Sequence, residues 1–176
     1  FGEFCNQTAK SVYYAFKRSS VTCAENPNLP VYVGCDFNAG NMNYVAMQYT
    51  PDGFTVLQSV TLKDHTANTF SMAQEIYGKW GSRAIVIPDS TARARKTSAE
   101  AGITDIRILQ NAGLKVLDTQ NPRIKDRQNT VNMQFFRSRI KIDSSCINLI
   151  KELETLASDD DEGTKSHLAV ALGYVI

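Results

Sequence analysis

Two aspartates occupy positions in the sequence where a carboxylate is costly unless its charge is compensated. Asp36 lies inside the apolar segment VYVGCDF, and Asp89 directly follows the apolar segment AIVIP. A carboxylate beside a buried strand must be paired, hydrogen-bonded or bound to a cation. Converging carboxylates bind Mg²⁺ or Mn²⁺, and paired ions can hold the attacking and leaving oxygens of a phosphodiester. Asp36 and Asp89 are therefore candidate metal ligands.

Each aspartate also has an ordinary structural interpretation. Asp89 can cap a helix or form a turn, and Asp36 can occupy a bulge or a salt bridge. Other chemistries have less support. The sequence contains no G-x-x-x-x-G-K-[ST] phosphate loop, so this chain alone is not expected to hydrolyse ATP. It contains no G-x-S-x-G elbow, and its two histidines, His65 and His167, lack the spacing of a zinc site.

Apolar segments separated by turns predict how these carboxylates are positioned. Three segments rich in β-branched and aromatic residues are joined by short turns and predict antiparallel strands: 31–37, 44–49 and 54–62. Helical spacing follows over residues 70–80, with Asp64 or Thr66 as the expected cap. The next apolar segment, 83–88, is expected to be a strand parallel to its neighbour because it enters after a crossover helix.

The second half of the chain alternates helices and strands. Helical patterns cover 104–113, 125–138 and 145–157, with a strand at 114–118 and a last helix from about Thr164. This order predicts an α/β, ribonuclease H-like fold: a mixed central sheet, with an antiparallel meander followed by parallel strands, flanked by helices. We expect residues 1–176 to form a single domain because no linker or repeat divides them.

Composition and charge narrow the function classes. The 43% hydrophobic and 21% charged residues are typical of a globular protein, and no segment reaches the roughly 20 apolar residues of a membrane span. Four scattered cysteines predict reduced thiols in a cytosolic protein, with a Cys5–Cys23 disulfide as the alternative.

Positive charge is concentrated in the middle of the chain. The net charge is only +1, but residues 93–141 contain 11 basic and 4 acidic side chains, and the remainder contains 8 basic and 14 acidic ones. A basic region beside a cluster of carboxylates suits a metal-dependent phosphodiester enzyme. A solvated surface is the simpler interpretation of charge alone.

Five segments, in order along the chain, resemble the nuclease domain of tailed-bacteriophage large terminase subunits: VGCDFNAGNM, IPDSTARARKTSA, TDIRILQNAG, IKDRQNTVN and HLAVALGYVI. The resemblance runs from about Gly2 to the C-terminus. No single segment is specific, but the five segments together, in the same order and at spacing similar to that in the family, are. It implies a two-metal endonuclease that cuts concatemeric viral DNA to begin and end genome packaging. In full-length terminases an ATPase motor domain precedes this nuclease. We therefore expect this chain to be the C-terminal part of a longer terminase.

The resemblance also assigns roles to particular residues. Asp36 and Asp89 correspond to the first two metal-binding aspartates, and two Mg²⁺ or Mn²⁺ ions are expected for full activity. The family's third carboxylate lies on the last helix, in a pattern resembling H-x-x-D-A-L-G-Y. Here that pattern begins at His167 and has Val170 at the aspartate position. This departure predicts an impaired metal site and weakened or absent cutting.

Three explanations of Val170 are open. In the first, Val170 is an inactivating change, natural or introduced, in an otherwise intact motif. Alternatively His167, one turn away on the same helical face, serves as a metal ligand and catalytic residue. In the third explanation the acidic segment Asp159, Asp160, Asp161 and Glu162 folds back to supply a carboxylate, although a solvated loop is the simpler interpretation of that segment.

The basic residues predict a DNA-binding surface without sequence preference. The predicted phosphate contacts are Arg93, Arg95, Lys96, Arg123, Lys125 and Arg127, extended by Arg137 and Arg139. For Arg127, a structural ion pair with Asp126 is an equal alternative. By the resemblance, the partners are double-stranded DNA, the terminase ATPase domain, the small terminase subunit and the portal protein, in the cytoplasm of a bacterial host, with no membrane partner.

Two other functions are compatible with the same sequence. One is a catalytically inactive DNA-binding or docking module of the packaging motor, which would bind DNA without cutting it in any metal. The other is a different ribonuclease H-like nuclease, such as a junction resolvase, which would prefer branched over linear duplex DNA.

Overall fold

A six-stranded mixed sheet forms the centre of the computed structural model, which describes residues 10–19, 21–38, 40–94, 103–160 and 166–176. Its strands are β1 (Val31–Asn38), β2 (Asn41–Thr50), β3 (Gly53–Lys63), β4 (Ala84–Pro88), β5 (Lys115–Val116) and β6 (Ile140–Ile142). Their spatial order is β5-β4-β1-β2-β3-β6. The first three strands pair antiparallel, and β4, β5 and β6 each join parallel to their neighbours. The predicted meander followed by parallel strands is confirmed.

Within the described residues, five helices accompany the sheet: α1 (Thr69–Trp80), α2 (Asp105–Asn111), α3 (Ile124–Phe136), α4 (Ile147–Thr155) and α5 (His167–Val175). The predicted cap of α1 is wrong. Asp64 begins a short 3₁₀ turn, and the N-cap is Asn68, whose side chain accepts a hydrogen bond from the Ser71 N–H at 2.9 Å. In the part of the chain that the structure describes, no helix has the length and apolar character needed to cross a membrane.

The two faces of the sheet bury separate apolar cores. Alternate residues of β1, such as Val31 and Val33, pack with α1 and α2 on one face. On the other face, residues such as Val45 and Met47 of β2 pack with α3, α4 and α5. The chain therefore forms a helix–sheet–helix sandwich, in which α5 lies directly against the central strands.

The strand β6 was not predicted from the sequence. Its three residues pair with Phe54–Val56 of β3, and the Phe54 N–H donates to the Arg139 carbonyl at 2.7 Å just before it. Gly53 (φ 134°) allows this approach, because a Cβ there would lie 2.0 Å from the same carbonyl oxygen. A strand of three residues beginning after Arg139 has too little periodicity to be recognised.

Three cysteines are free thiols, namely Cys23, Cys35 and Cys146, and Cys5 lies outside the described residues. Burial, and then the charges of Asp89 and Asp36, raise the pKa of the Cys35 thiol. A buried thiol of this kind is a poor nucleophile and acts as a small apolar core residue.

Candidate metal centre

Neighbouring parallel strands bring Asp36 and Asp89 to the same edge of the sheet. In the β1–β4 register Cys35 faces Pro88, and the Asp89 N–H continues the ladder by donating to the Cys35 carbonyl at 3.1 Å. Both side chains are buried, with 7% of Asp36 and 5% of Asp89 exposed. The two strands are thus neighbours, which is the condition under which the two carboxylates can converge. Their carboxyl ends are where ligands bind in many α/β sheets.

Asp89 is held by hydrogen bonds from three groups. Its Oδ1 accepts from the N–H of Thr91 at 2.7 Å and from the Thr91 hydroxyl at 2.5 Å. Its Oδ2 accepts from the N–H of Phe37, the residue after Asp36, at 2.9 Å. Asp89 is thus the N-cap of the 3₁₀ turn Ser90–Arg93, and the capping interpretation is confirmed. The same bonds tie the ends of β1 and β4 together.

Asp36 contacts His167 across the helix–strand interface. The Oδ2 of Asp36 lies 3.0 Å from Nδ1 of His167 and also accepts from the Asn38 side-chain amide, which itself lies 3.0 Å from His167 Nδ1. Asn38 lies two residues after Asp36 in β1, so both side chains project from one face of the strand. That alternation was a signal for Asn38 that the sequence prediction missed.

The electrostatic environment of Asp36 reflects its burial and its neighbours. Burial raises the pKa of Asp36 to about 6; the charge and hydrogen bond of His167 and the charge of Arg127 oppose this rise, whereas the charge of Asp89 adds to it. The carboxyl group therefore holds its proton to a higher pH than an exposed aspartate does.

The approach of α5 to β1 depends on Gly34. A Cβ on this residue would lie 2.0 Å from the carbonyl oxygen of Ala171 and 2.8 Å from a methyl of Val175. Only glycine allows a helix backbone so close to the strand. Gly34 lies two residues before Asp36 on the same face, so this contact sets the height of α5 above the carboxylate.

A cavity of about 580 Å³ opens beside Asp36. Its lining includes Asp36, Asn38, Lys125, Arg127, Asp160, His167, Val170 and Tyr174. Val170 lies one turn after His167 on α5, with 7% of its surface exposed. The residue at the position of the expected third aspartate is therefore an apolar part of the wall beside Asp36.

The residues of the acidic segment before α5 differ in their surroundings. Asp159 forms a surface ion pair with Lys10, whereas Asp160 lines the cavity and accepts a hydrogen bond from the Ala157 N–H at 3.0 Å. Asp161 and Glu162 lie outside the described residues.

Arg127 is buried, whereas a residue that contacts DNA phosphates at the surface would be exposed. Only 5% of it is exposed, and its guanidinium lies 4.9 Å from the centroid of the Tyr174 ring, a cation–π contact. Its aliphatic part lies over Gly173, where a Cβ would come within 2.3 Å of Cδ. Asp126, by contrast, is exposed. Arg127 thus contributes a positive charge to the wall of the cavity rather than to the outer surface.

The remaining predicted DNA contacts that the structure describes are separated in space. Arg123 and Lys125 are exposed at the N-terminal end of α3, and Lys125 lines the cavity. Arg93 pairs with Asp118 at 2.7 Å. Two further positions, Arg95 and Lys96, lie outside the described residues, and Arg137 and Arg139 follow the far end of α3, about 20 Å from its start.

Glu152 of α4 stabilises the first turn of α5 and was not predicted. Its Oε2 accepts the N–H of Ala169 at 2.9 Å, and its carboxylate also interacts with the N–H of Leu168. Burial raises the pKa of Glu152 to about 7, these backbone bonds oppose the rise, and the charge of Asp36 adds to it. A carboxylate at this place compensates the N-terminal end of the helix dipole. No local sequence pattern identifies a partner this far along the chain.

The site contains part of the set of oxygen ligands that a divalent cation prefers. Asp36 and Asp89 supply carboxylate oxygens, which suit Mg²⁺ or Mn²⁺, ions that one or two carboxylates can hold with water and phosphate oxygens. Within the described residues, no group of three His, Cys, Asp or Glu side chains is arranged to hold a metal ion. Of the three positions expected to hold metal ligands, Asp36 and Asp89 carry carboxylates and Val170 does not.

Neither the family models nor the curated proteins contain a match to this chain. Several solved structures, in contrast, are similar to it. The chain is similar to the large terminase of a thermophilic bacteriophage (TM-score 0.75, 14% identity), covering 95% of this chain and 45% of the terminase. It is similar to the P22 large terminase nuclease domain (TM-score 0.66, 13% identity, 93% and 89% covered). It also resembles the magnesium-bound large terminase nuclease of thermophilic phage G20c (TM-score 0.64, 11% identity, 96% and 98% covered).

These structural similarities identify the fold of the chain. The chain spans less than half of the first of these terminases, but it spans most of the separate nuclease domains from P22 and G20c. The likeness inferred from five sequence segments is thus confirmed at the level of three-dimensional structure. The chain has the ribonuclease H-like fold of large terminase nuclease domains.

Proposed function

We propose that this chain is a divalent-cation-dependent endonuclease domain that cuts double-stranded viral DNA during genome packaging, with activity weakened by Val170. The observation that carries the proposal is the buried Asp36 carboxylate at the end of a central strand, which lines an open cavity together with His167 and Arg127. This arrangement occurs in a fold shared with terminase nucleases. The domain is proposed to be the C-terminal part of a longer terminase.

The residues of the site have separate roles in this proposal. Asp36 and Asp89 would hold Mg²⁺ or Mn²⁺, and a bound ion would polarise the scissile phosphate and activate a water molecule. His167 fixes the orientation of the Asp36 carboxylate. Arg127, preorganised by Tyr174, offsets the negative charge that develops on the phosphate. Two ions, as expected for full activity, would need a ligand in place of Val170.

Partners are part of the same proposal. Lys125 and Arg123 would contact the DNA backbone beside the cavity, with Arg95 and Lys96 as further predicted contacts. Arg93 would have to exchange its Asp118 partner, which is feasible because exposed ion pairs contribute only about 0–1 kcal/mol. An ATPase domain, a small terminase subunit and a portal protein are the proposed protein partners, in a bacterial cytoplasm.

Val170 favours a second candidate function. An apolar side chain at the third ligand position suits a domain that binds duplex DNA in the packaging motor without cutting it. This module would keep the basic residues and would need no divalent ion.

Nicking of supercoiled plasmid in Mn²⁺, Mg²⁺ or EDTA tests the first candidate. We expect slow nicking in Mn²⁺ that is lost in Asp36→Asn and retained in the control Asp52→Asn, an exposed turn residue between β2 and β3. Equal nicking by Asp36→Asn would overturn the assignment. Duplex binding without nicking in any metal would support the second candidate instead.

A further inference from the structure

A second cavity, of about 280 Å³, lies at the same edge of the sheet as Asp36. Its lining comes from the end of β3 and one face of α4: Thr61, Lys63, Asn148, Lys151, Glu152 and Thr155. The sequence prediction and the proposed catalytic site use none of these residues.

The register of the sheet places this second cavity close to the first. Asp36 of β1 faces Asn43 of β2, and Asn43 faces Thr61 of β3. Facing residues project from the same side of a sheet, and neighbouring strands are about 4.8 Å apart, so Thr61 lies roughly 10 Å from Asp36. These facing residues extend from β1 towards β3, and β4 lies on the other side of β1. The second cavity therefore lies on the opposite side of Asp36 from Asp89.

The first turn of α5 separates the two cavities. His167 in that turn lines the first cavity and contacts Asp36. The backbone N–H groups of Leu168 and Ala169 in the same turn bind Glu152, which lines the second. Because the Glu152 carboxylate is directed to these N–H groups, its negative charge is partly compensated at the cavity wall.

Positive charge flanks Asp36 on both sides. Lys63 and Lys151 are exposed in the second cavity and form no ion pair with any residue that the structure describes. Lys125 and Arg127 line the first cavity. An extended polyanion lying across Asp36 would therefore meet cations before and after the carboxylate.

A buried amide supplies a further polar feature. Asn43 is 1% exposed, its Oδ1 accepts from the Thr61 hydroxyl at 2.7 Å, and its Nδ2 has no acceptor among the described residues. Buried donors are rarely left unpaired. Turning the amide over would let Nδ2 donate to Thr61 Oγ1, which would free the Thr61 hydroxyl to donate to an anion in the cavity.

We propose that the second cavity binds a backbone phosphate of duplex DNA through Lys63, Lys151 and the Thr61 hydroxyl. This inference rests on the proposed DNA-cutting function and extends the DNA path across the first turn of α5. Contacts of this kind give affinity without reading sequence. The substrate would then be held on both sides of the bond next to Asp36.

Salt dependence of duplex binding tests the inference. Fluorescence anisotropy of a labelled duplex in EDTA gives log K against log salt concentration, and the slope of this plot becomes shallower by about 0.9 for each phosphate that the protein no longer neutralises. We expect Lys63→Ala/Lys151→Ala to reduce the slope by about 0.9, the contribution of one phosphate, and Thr61→Val to weaken binding with little change in slope. The control Lys115→Ala/Lys141→Ala removes the same charge from the opposite edge of the sheet, because these lysines pair with Ile85 near the start of β4 and with Thr55 near the start of β3.

The outcomes separate this inference from the proposed function. Wild-type chain that binds no duplex at low salt would overturn both. Wild-type binding with the same slope in the Lys63/Lys151 variant as in the control would overturn the second cavity alone and leave the nuclease proposal standing.

Discussion

Gly34 of β1 and Ala171 of α5 meet so closely that a Cβ on Gly34 would lie 2.0 Å from the Ala171 carbonyl oxygen. The two residues belong to the elements that carry Asp36 and His167. This single backbone contact therefore fixes how the histidine-bearing helix lies over the carboxylate-bearing strand.

Gly34→Ala is expected to destabilise the domain because backbone, rather than a flexible side chain, occupies the space of the new methyl group. Overpacking of this kind costs about 1–3 kcal/mol in the free energy of unfolding, which urea denaturation measures. Gly78→Ala is the matched control. Gly78 lies within α1 with nothing within 4 Å of its would-be Cβ, so the same change should stabilise by about 0.5–1 kcal/mol. Equal effects at both positions would refute the close-contact explanation.

Val170→Asp is expected to supply the missing carboxylate beside Asp36. Without metal the buried charge should lower the melting temperature, and Mn²⁺ should restore it, because an ion that binds only the folded state stabilises that state. Calorimetry with and without Mn²⁺ measures both effects, and plasmid nicking should increase in parallel. Val170→Asn, of similar shape but uncharged, should show little Mn²⁺-dependent stabilisation. If Val170→Asp responds to Mn²⁺ no more than wild type, Val170 is not at a metal-ligand position.

Glu152→Gln is expected to change how stability depends on pH. Burial raises the pKa of Glu152 to about 7, above its ordinary value near 4.5, so folding favours the protonated form. The wild-type free energy of unfolding should therefore fall as pH rises from about 4.5 to about 7. The variant should lose this part of the fall and gain up to about 3 kcal/mol relative to wild type at pH 8, since one pKa unit corresponds to about 1.4 kcal/mol.

Urea unfolding between pH 4.5 and pH 8 measures this dependence. Glu154→Gln, on the same helix, removes a surface carboxylate that pairs with Arg18 and is the matched control. Parallel pH profiles for wild type and Glu152→Gln would contradict the assigned burial of the Glu152 charge.

Arg127→Met is expected to raise the pKa of Asp36, because the positive charge of Arg127 helps to keep that carboxyl group ionised. A carbon-detected NMR titration of Asp36 measures the change without requiring catalysis. Arg123→Met removes an exposed charge at the start of α3 and should leave the titration of Asp36 close to wild type. An unchanged Asp36 titration in Arg127→Met would remove Arg127 from the electrostatics of the site.

Local pattern explains which parts of the fold could be predicted. The alternation and turns of β1, β2 and β3 and the helical spacing of α1 are local, and these elements were anticipated nearly to their ends. The strand β6 was missed because its three residues become a strand only by pairing with Phe54–Val56. The sequence likewise put Asp36 in one strand and Asp89 at the end of another, but only the sheet order shows that these strands are neighbours.

Contacts between distant segments explain what was missed at the site. Burial of Arg127 against Tyr174, and the bond of Glu152 to α5, join residues far apart in the chain and leave no periodic signal. Asn38 could have been found, since it projects from the same face of β1 as Asp36. Lys63 and Lys151 became neighbours only when α4 packed beside the end of β3.

The hydrogen bonds of Asp89 have a practical consequence for mutagenesis. One carboxylate both closes the turn after β4 and accepts from the N–H of Phe37, so Asp89→Ala would loosen the junction of two strands as well as removing the proposed metal ligand. Loss of cutting in that variant would combine a folding defect with a chemical one. Asp36 makes no such backbone bond in the described structure, so substitutions at Asp36 report on the chemistry more cleanly.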